Sequence, residues 1–458
     1  MFRFIKPSAG QNPRRDVVLD VLGAALAAVD PAEAIRRTVM RDADTLRVGE
    51  RKYDLTRYKR IFVVGGGKAG APMAAEIENI LGDRITDGIV NVKYGYTAQT
   101  NRITVHEAGH PVPDQAGVWG TQRMIEMVRE AAADDLVLCL ISGGGSALMT
   151  LPVAGVTLED IQALTDDLLR SGAPIQAINT VRKHLSQVKG GQLARLAYPA
   201  TVIALILSDV VGNPLDVIAS GPTVPDSTTF GDARDVIRRY GLEERLPEAV
   251  RRYLDEGIAG QRPETPKAGD RVLERVQTVI VADNAKAARA AVERAVELGL
   301  NGLLLSTYIE GEAREVAKVI AALAKEVCAT GLPVPAPACL ILGGETTVTV
   351  RGKGKGGRNQ ELALAAALAI EGLEEVYIAS LATDGSDGPT DSAGGLVDGT
   401  TVARGAARGL SARNALEDND AYPFLDEVGD LLVTGPTNTN VNDLIAIFVF
   451  EPGNSVRA

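Results

Sequence analysis

Short apolar runs alternate with amphipathic stretches along most of the chain, the pattern of an α/β protein whose strands are buried on both faces. In the first half this pattern predicts strands at 60–64, 88–92, 102–105, 136–141 and 201–207, with helices filling most of the intervals. Asp114 is placed to cap a helix through WGTQRMIEMVREAA. Thr157 with Asp160 is placed to start LEDIQALTDDLLR, which Gly172 ends. Between about residues 246 and 269 a polar helix, LPEAVRRYLDEG, gives way to IAGQRPETPKAGD, rich in Pro, Gly and charge. Linkers have this composition, so a division into domains 1–262 and 263–458 is expected. QTVIVADN, AKAARAAVERAVELG, NGLLLS and EAREVAKVIAALAKEV then read as a new βαβα start. ACLILGGETTVTV, the helix NQELALAAALAI, VYIASLATDG and LIAIFVF complete the second domain.

Length agrees with two domains, because single cores stop growing near roughly 250–300 residues and the chain has 458. Hydrophobic residues make up 45% and aromatic residues only 4%, so the core must be aliphatic. A formal charge of −11 argues against a nucleic-acid partner, which needs a basic face. No span approaches the ~18 apolar residues of a membrane helix, and MFRFIKPSAG at the amino terminus lacks a long apolar signal region. No membrane association is expected, and the location is read as cytoplasmic. Cys139, Cys328 and Cys339 are odd in number, lack metal spacing and read as buried free thiols.

Glycine clusters recur where strands end: GGGKAG at 65–70, SGGGSAL at 142–148, GGE at 343–345, GKGKGGR at 352–358 and TDGSDGPTDSAGG at 383–395. Such loops let backbone amides approach an anion, and several together point to one polyanionic ligand at the carboxyl ends of the strands. Gly65, Gly66 and Gly67 form the first cradle, and Ser142, Gly143, Gly144, Gly145 and Ser146 the second. GGGKAG also satisfies the dinucleotide fingerprint, which demands an acidic residue at the end of the second strand. Asp87 instead precedes that strand, and Lys93 and Tyr94 stand at its far end. No Walker A motif occurs.

Cations and carboxylates complete the chemistry. Lys68 opens a helix beside the first cradle, where an ammonium attracts phosphate. Arg351, Lys353, Lys355 and Arg358 crowd one loop, Arg358 at a helix start being the best fixed, and Arg182 and Lys183 are secondary anion-binding candidates. Asp209, Glu345, Asp384 and Asp387 follow or end apolar runs, where a carboxylate can meet a nucleotide and its Mg²⁺. His106 and His110 lack a third zinc ligand, His184 being far off in sequence.

GGGKAG, HPVPDQAG, ISGGGSALM, NTVRKHLSQVKGG, LSDVVGNPLDVIASGPTVPD, GGETTVTVRGKGKGGRNQE and LATDGSDGPTDSAGG together resemble the class II glycerate kinases, whose carboxy-terminal part is the MOFRL domain. The resemblance runs from about residue 31 to the end. It implies a Rossmann-like three-layer amino-terminal domain with a parallel sheet, a second α/β domain of MOFRL type, and an active site in the cleft between them. The implied activity is ATP-dependent phosphorylation of D-glycerate at the 2-hydroxyl, with ATP and Mg²⁺ as cofactors, by a monomer or homodimer. Lys68 matches the family's catalytic lysine, Arg358 its essential arginine and Asp209 the aspartate of its SDV motif, expected either to accept the proton of the glycerate hydroxyl or to bind Mg²⁺ directly, with a position close to the reacting hydroxyl preferred. The two glycine cradles, Lys183, Glu345 and Asp384 are then expected to bind phosphate, nucleotide or substrate. Asn213 stands where the family commonly has Asp. The family's older label, hydroxypyruvate reductase using NAD(P)H, is the alternative reading.

Overall fold

The computed structural model describes residue 4 and residues 12–452; the rest of MFRFIKPSAG lies outside the described residues. The chain divides at Asp30/Pro31 and at Val281/Ala282 into two compact units.

The unit Pro31–Val281 opens with a small antiparallel sheet of β1 (Val39–Asp42), β2 (Thr45–Val48) and β3 (Arg51–Asp54). Its main sheet holds β4 (Arg60–Gly66), β5 (Asp87–Lys93), β6 (Ile103–Ala108), β7 (Asp135–Ile141), β8 (Thr201–Leu207) and β9 (Val276–Ala282), in the order β6-β5-β4-β7-β8-β9. The strands from β4 to β8 pair in parallel, as do β5 and β6. Every residue of β7 and β8 is buried, so both faces of the sheet are covered and the strands read as unbroken apolar runs. The order reverses between β4 and β7, where doubly wound sheets open a crevice at the carboxyl ends of their strands. A satellite core of Ile161, Leu164, Leu168, Ile178, Phe230, Ile237 and Leu254 joins four helices: Leu158–Arg170, Ile175–His184, Phe230–Arg239 and Glu248–Ile258. The helix starts fall where the local chemistry places them. Asp114 accepts from the Gly117 amide at 2.9 Å, and Thr157 and Asp160 form a reciprocal capping box.

The other unit combines the helix Pro13–Ala28 with the chain from Ala282 onward. Its sheet holds β10 (Asn301–Glu312), β11 (Ala338–Thr347), β12 (Val376–Ala382), β13 (Gly394–Asp398), β14 (Leu431–Leu432) and β15 (Asp443–Val449), in the order β10-β11-β15-β12-β13-β14. β15 runs antiparallel to both neighbours, which brings Asp443 at its start to the carboxyl ends of β11 and β12. The helix Arg358–Ala369 is buried along nearly its whole length by Leu362, Leu364 and a run of alanines.

The expected domain boundary moves in two places. Residues 263–281, read as the start of the second domain, end in β9 at the edge of the first sheet. The polar stretch around 259–270 is therefore a surface connection within one unit. The helix Pro13–Ala28 belongs with the carboxy-terminal unit, where Arg15 donates to Asp398 and Asp430, both at 2.9 Å.

Candidate active site

At the switch point the loops after β4 and β7 lock together. Ala69 N donates to Ser142 Oγ at 3.0 Å, Lys68 N to the Gly143 carbonyl at 2.8 Å and Gly67 N to the Asn91 carbonyl at 3.0 Å. Gly67 sits against Ser142 so closely that a Cβ would overlap the Ser142 hydroxyl. The amides of Gly67, Lys68 and Ala69 are thus spent on the protein, and Gly65 and Gly66, expected with Gly67 to hold a phosphate, lie within β4. Ser142 is likewise occupied, as the peg for that loop.

The second cradle is different. Gly144 takes a left-handed φ of 81°, and among the described residues the amides of Gly143, Gly144 and Ser146 have no protein acceptor, while Gly145 N donates to the Ser142 carbonyl. Successive amides around a left-handed residue make a concave anion-binding nest.

Three ionisable side chains surround this nest. A Cβ on Gly143 would overlap the carboxylate of Asp209, and one on Gly144 would lie 2.9 Å from His110 Nε2 and 3.5 Å from Lys68 Cγ. Lys68 forms no ion pair among the described residues. Burial pushes the Asp209 carboxyl above the usual carboxylate range, and the charge of Lys68 partly opposes it. Burial, helped by Lys68 and Lys93, lowers His110 to about 4, so the ring is neutral at physiological pH.

The nest is supported from behind. Arg182 Nη2 and Lys189 Nζ both donate to the Ser146 carbonyl, at 3.0 and 2.8 Å, and Lys189 Nζ also donates to the Met149 carbonyl at 2.7 Å. Burial lowers the Arg182 guanidinium to about 10 and Lys189 well below its usual value. Ser146 Oγ lies 2.7 Å from Ser220 Oγ, which donates to Asn179 Oδ1 at 3.1 Å. Ala219 and Ser220 are non-glycine residues at φ 49° and 60°. Backbone of that kind persists only where its surroundings over-determine it, often at functional sites.

The second group of candidates gathers in the other unit. Arg358 holds Asp443 through Nε at 2.6 Å and Nη2 at 3.0 Å, and its Nη1 lies 3.0 Å from Glu345. Asp387 accepts from Gln360 N at 2.8 Å, and burial raises its carboxyl to about 6. Asp384 accepts from the Ser386 amide at 3.0 Å, a local turn. Asp384, Asp387 and Arg358 line one cavity of ≈ 540 Å³. Lys355 stands 4.2 Å above the ring of Tyr422.

Lys183 does not join the nest. It is 3% exposed, and its ammonium lies 3.2 Å from Asp216 and 3.5 Å from Asp226. The helix Ile175–His184 turns that face inward, so Lys183 is a buried structural cation. Asn213 takes a left-handed φ of 55°, a conformation Asn and Asp share, so its backbone suits the loop. Cys139 and Cys339 are buried as expected, but Cys328 is exposed. His110, Ser220 and Asn179 escaped the sequence reading. His110 was weighed only as a metal ligand, and the partnership of Ser220 with Ser146 spans 74 residues.

The family model described as domain of unknown function DUF4147 matches residues 17–255, and the MOFRL family model matches residues 338–443. The chain is 43% identical over 436 residues to the glycerate 2-kinase of Pyrococcus horikoshii, covering 95% of this chain and 97% of that one. It is 44% identical over 432 residues to the D-glycerate 2-kinase of Thermotoga maritima, covering 94% and 97%. The crystal structure of a glycerate kinase from Thermotoga maritima superposes with a TM-score of 0.85 over 95% of this chain and 99% of that one, at 44% identity. An Agrobacterium vitis protein called putative hydroxypyruvate reductase is 43% identical over 392 residues, covering 85% of this chain and 99% of that one. With relatives this similar along nearly its whole length, the chain belongs to the MOFRL family of glycerate kinases.

Proposed function

We propose that the chain transfers the γ-phosphoryl group of ATP to the 2-hydroxyl of D-glycerate, forming 2-phosphoglycerate and ADP in the cytoplasm. The observation that carries this reading is the convergence of Lys68 and Asp209 on the open amides of Gly143 and Gly144. Phosphoryl transfer asks for little covalent chemistry from a protein; it needs positioning and charge stabilisation. The amides of Gly143, Gly144 and Ser146 bind phosphate oxygens. Lys68 offsets charge on the transferred group, and the raised carboxyl of Asp209 accepts the hydroxyl proton as that oxygen bonds to phosphorus and the bond to ADP breaks. Arg358 is proposed as a second required residue, held in one orientation by Asp443 and Glu345.

Magnesium binds through one or two carboxylates plus phosphate oxygens. Among the described residues no group of three or more His, Cys, Asp or Glu converges, and Asp209 beside the open amides is the alternative carboxylate for an ion arriving on ATP, a role that would replace its taking of the hydroxyl proton. Such an ion would supply charge neutralisation to the phosphates during transfer. Among the described residues no helix is long and apolar enough to cross a membrane. The cytoplasmic assignment rests on the three free cysteines, which suit a reducing compartment.

The name of the Agrobacterium relative suggests a reductase, but a basic residue, Lys93, ends β5 where a nicotinamide site places its ribose-binding acid. Incubation with ATP, Mg²⁺ and D-glycerate, coupled to enolase, separates the readings. Absorbance from phosphoenolpyruvate without added mutase is expected. Absence of ADP formation across metals and pH, with NADH consumed on hydroxypyruvate, would overturn the kinase.

A further inference from the structure

A groove of ≈ 660 Å³ runs outward from the nest, with Gly144, Ser146 and Arg182 at its inner end. One wall is the His110–Pro113 loop and the other the helix Leu158–Arg170, tied together by Gln162 Nε2 donating to the Pro113 carbonyl at 2.7 Å. We propose that this groove is the nucleoside pocket of ATP, with the triphosphate entering the nest and its γ-phosphate reaching Lys68. The proposal rests on the kinase reading above and assigns its two substrates to places.

Size, polarity and charge each separate a nucleotide from a three-carbon acid here. The volume lies within the roughly 300–1,000 Å³ of pockets that enclose drug-sized ligands, far more than glycerate fills. Val112 and Leu169, 63% and 60% exposed, stand on the two walls with Pro111 beside Val112 and Ile161 deeper, a lining for a planar base and not for a hydroxy acid. At the inner end Arg182 pairs with no carboxylate among the described residues, where its buried Nε also has no partner. Burial alone lowers it, so no protein anion compensates its charge. With the charges of Lys68 and Lys93 acting on His110 at the same end, the inner end is a cationic field suited to phosphates.

The ≈ 540 Å³ cavity of the other unit is the competing place, and its charge is wrong for a polyanion. Glu361, Asp384 and Asp387 line it, and its cation, Arg358, is already paired with Asp443 and Glu345. Asp209, on the far side of Gly143, then marks where the glycerate hydroxyl is received.

Calorimetric titration of the full chain with ADP, in magnesium buffer without glycerate, tests the groove. Val112→Glu and Leu169→Glu alter exposed side chains and are expected to weaken ADP by about tenfold or more, while the KM for D-glycerate stays within about twofold. Val350→Glu, at the 75% exposed rim of the other cavity, is expected to leave ADP affinity unchanged. Unchanged ADP affinity in both groove variants, or a loss confined to Val350→Glu, overturns the proposal. A rise in the KM for D-glycerate with unchanged ADP affinity hands the groove to the acceptor and also overturns it. The two readings fail separately. Wild-type protein that binds ADP in the groove without phosphorylating D-glycerate leaves the pocket standing and removes the reaction.

Discussion

Arg358 grips Asp443 with two parallel hydrogen bonds, 2.6 and 3.0 Å long, across 85 residues of sequence. Asp443 is 5% exposed at the start of β15, so the pair fixes the arginine fork against the sheet before any ligand arrives. Asp443→Asn is expected to keep the shape and lose the charge, leaving Arg358 with Glu345 as its remaining ion-pair partner. Stability is expected to fall by about 3 kcal/mol in urea titration, at the low end for a broken buried pair because Arg358 is 32% exposed. Turnover is expected to fall with it, and Arg358→Lys to lose activity without regaining the two-pronged contact. A normal kcat in Arg358→Ala, with normal KM for both substrates, would remove Arg358 from the machinery.

Two lysines separate catalysis from folding. Lys68 has no ion pair among the described residues, whereas Lys183 is wedged between Asp216 and Asp226. Lys68→Ala is expected to lower kcat by on the order of 10³ while changing stability by no more than about 0.5 kcal/mol. Lys183→Met is expected to do the reverse, costing about 3–5 kcal/mol because Asp226, 0% exposed, loses its cation. Its folded fraction should turn over near the wild-type rate. Thermal unfolding and steady-state kinetics on the same preparations check both halves.

The same contrast explains what the sequence disclosed. A strand buried on both faces is an unbroken apolar run, so β8 falls at 201–207 as expected, and the capped helices start at Asp114 and Thr157. The short pair β13 and β14, GGLVD and LL, carries no periodicity to read. Composition marked 259–270 as a linker because exposed loops and linkers share the same polar residues. Lys183 sits in a basic stretch that looks solvated, and its two acidic partners lie 33 and 43 residues further on. Glycine spacing marked both loops. Which of them had open amides depended on Ser142 and Asn91, residues of neighbouring strands and loops.

His110 gives the pH dependence a sign. Its folded value is about 4, below the ordinary histidine value near 6.5, so between these limits the unfolded chain binds a proton that the folded chain refuses. Stability from this group is therefore complete above about pH 6.5 and is lost as pH falls toward 4. His110→Gln is expected to reduce that acid loss by on the order of 1–2 kcal/mol, discounted because the ring is only half-buried. Urea titrations of both proteins at pH 7.5 and 4.5 measure the difference. Activity is expected to show no inflection near 6.5 from this ring, and its acid limb to report the raised carboxyl of Asp209.

Gly143 is where a single methyl group tests the placement of Asp209. A Cβ there would overlap the carboxylate of Asp209, which lies just after β8 and is only partly buried, so the carboxylate has room to turn aside. Gly143→Ala must therefore turn the carboxylate away from the reacting hydroxyl while leaving its charge and burial nearly intact. If Asp209 acts by accepting a proton at a defined position, kcat is expected to fall by about 10²-fold, the scale of a 1 Å misplacement, with ADP affinity within about threefold of wild type. If Asp209 contributed only a distant negative charge, the displacement would leave kcat almost unchanged. Asp209→Asn supplies the reference for full loss, and Gly143→Ala combined with Asp209→Asn should then be no slower than Asp209→Asn alone, because the methyl group acts through the carboxylate.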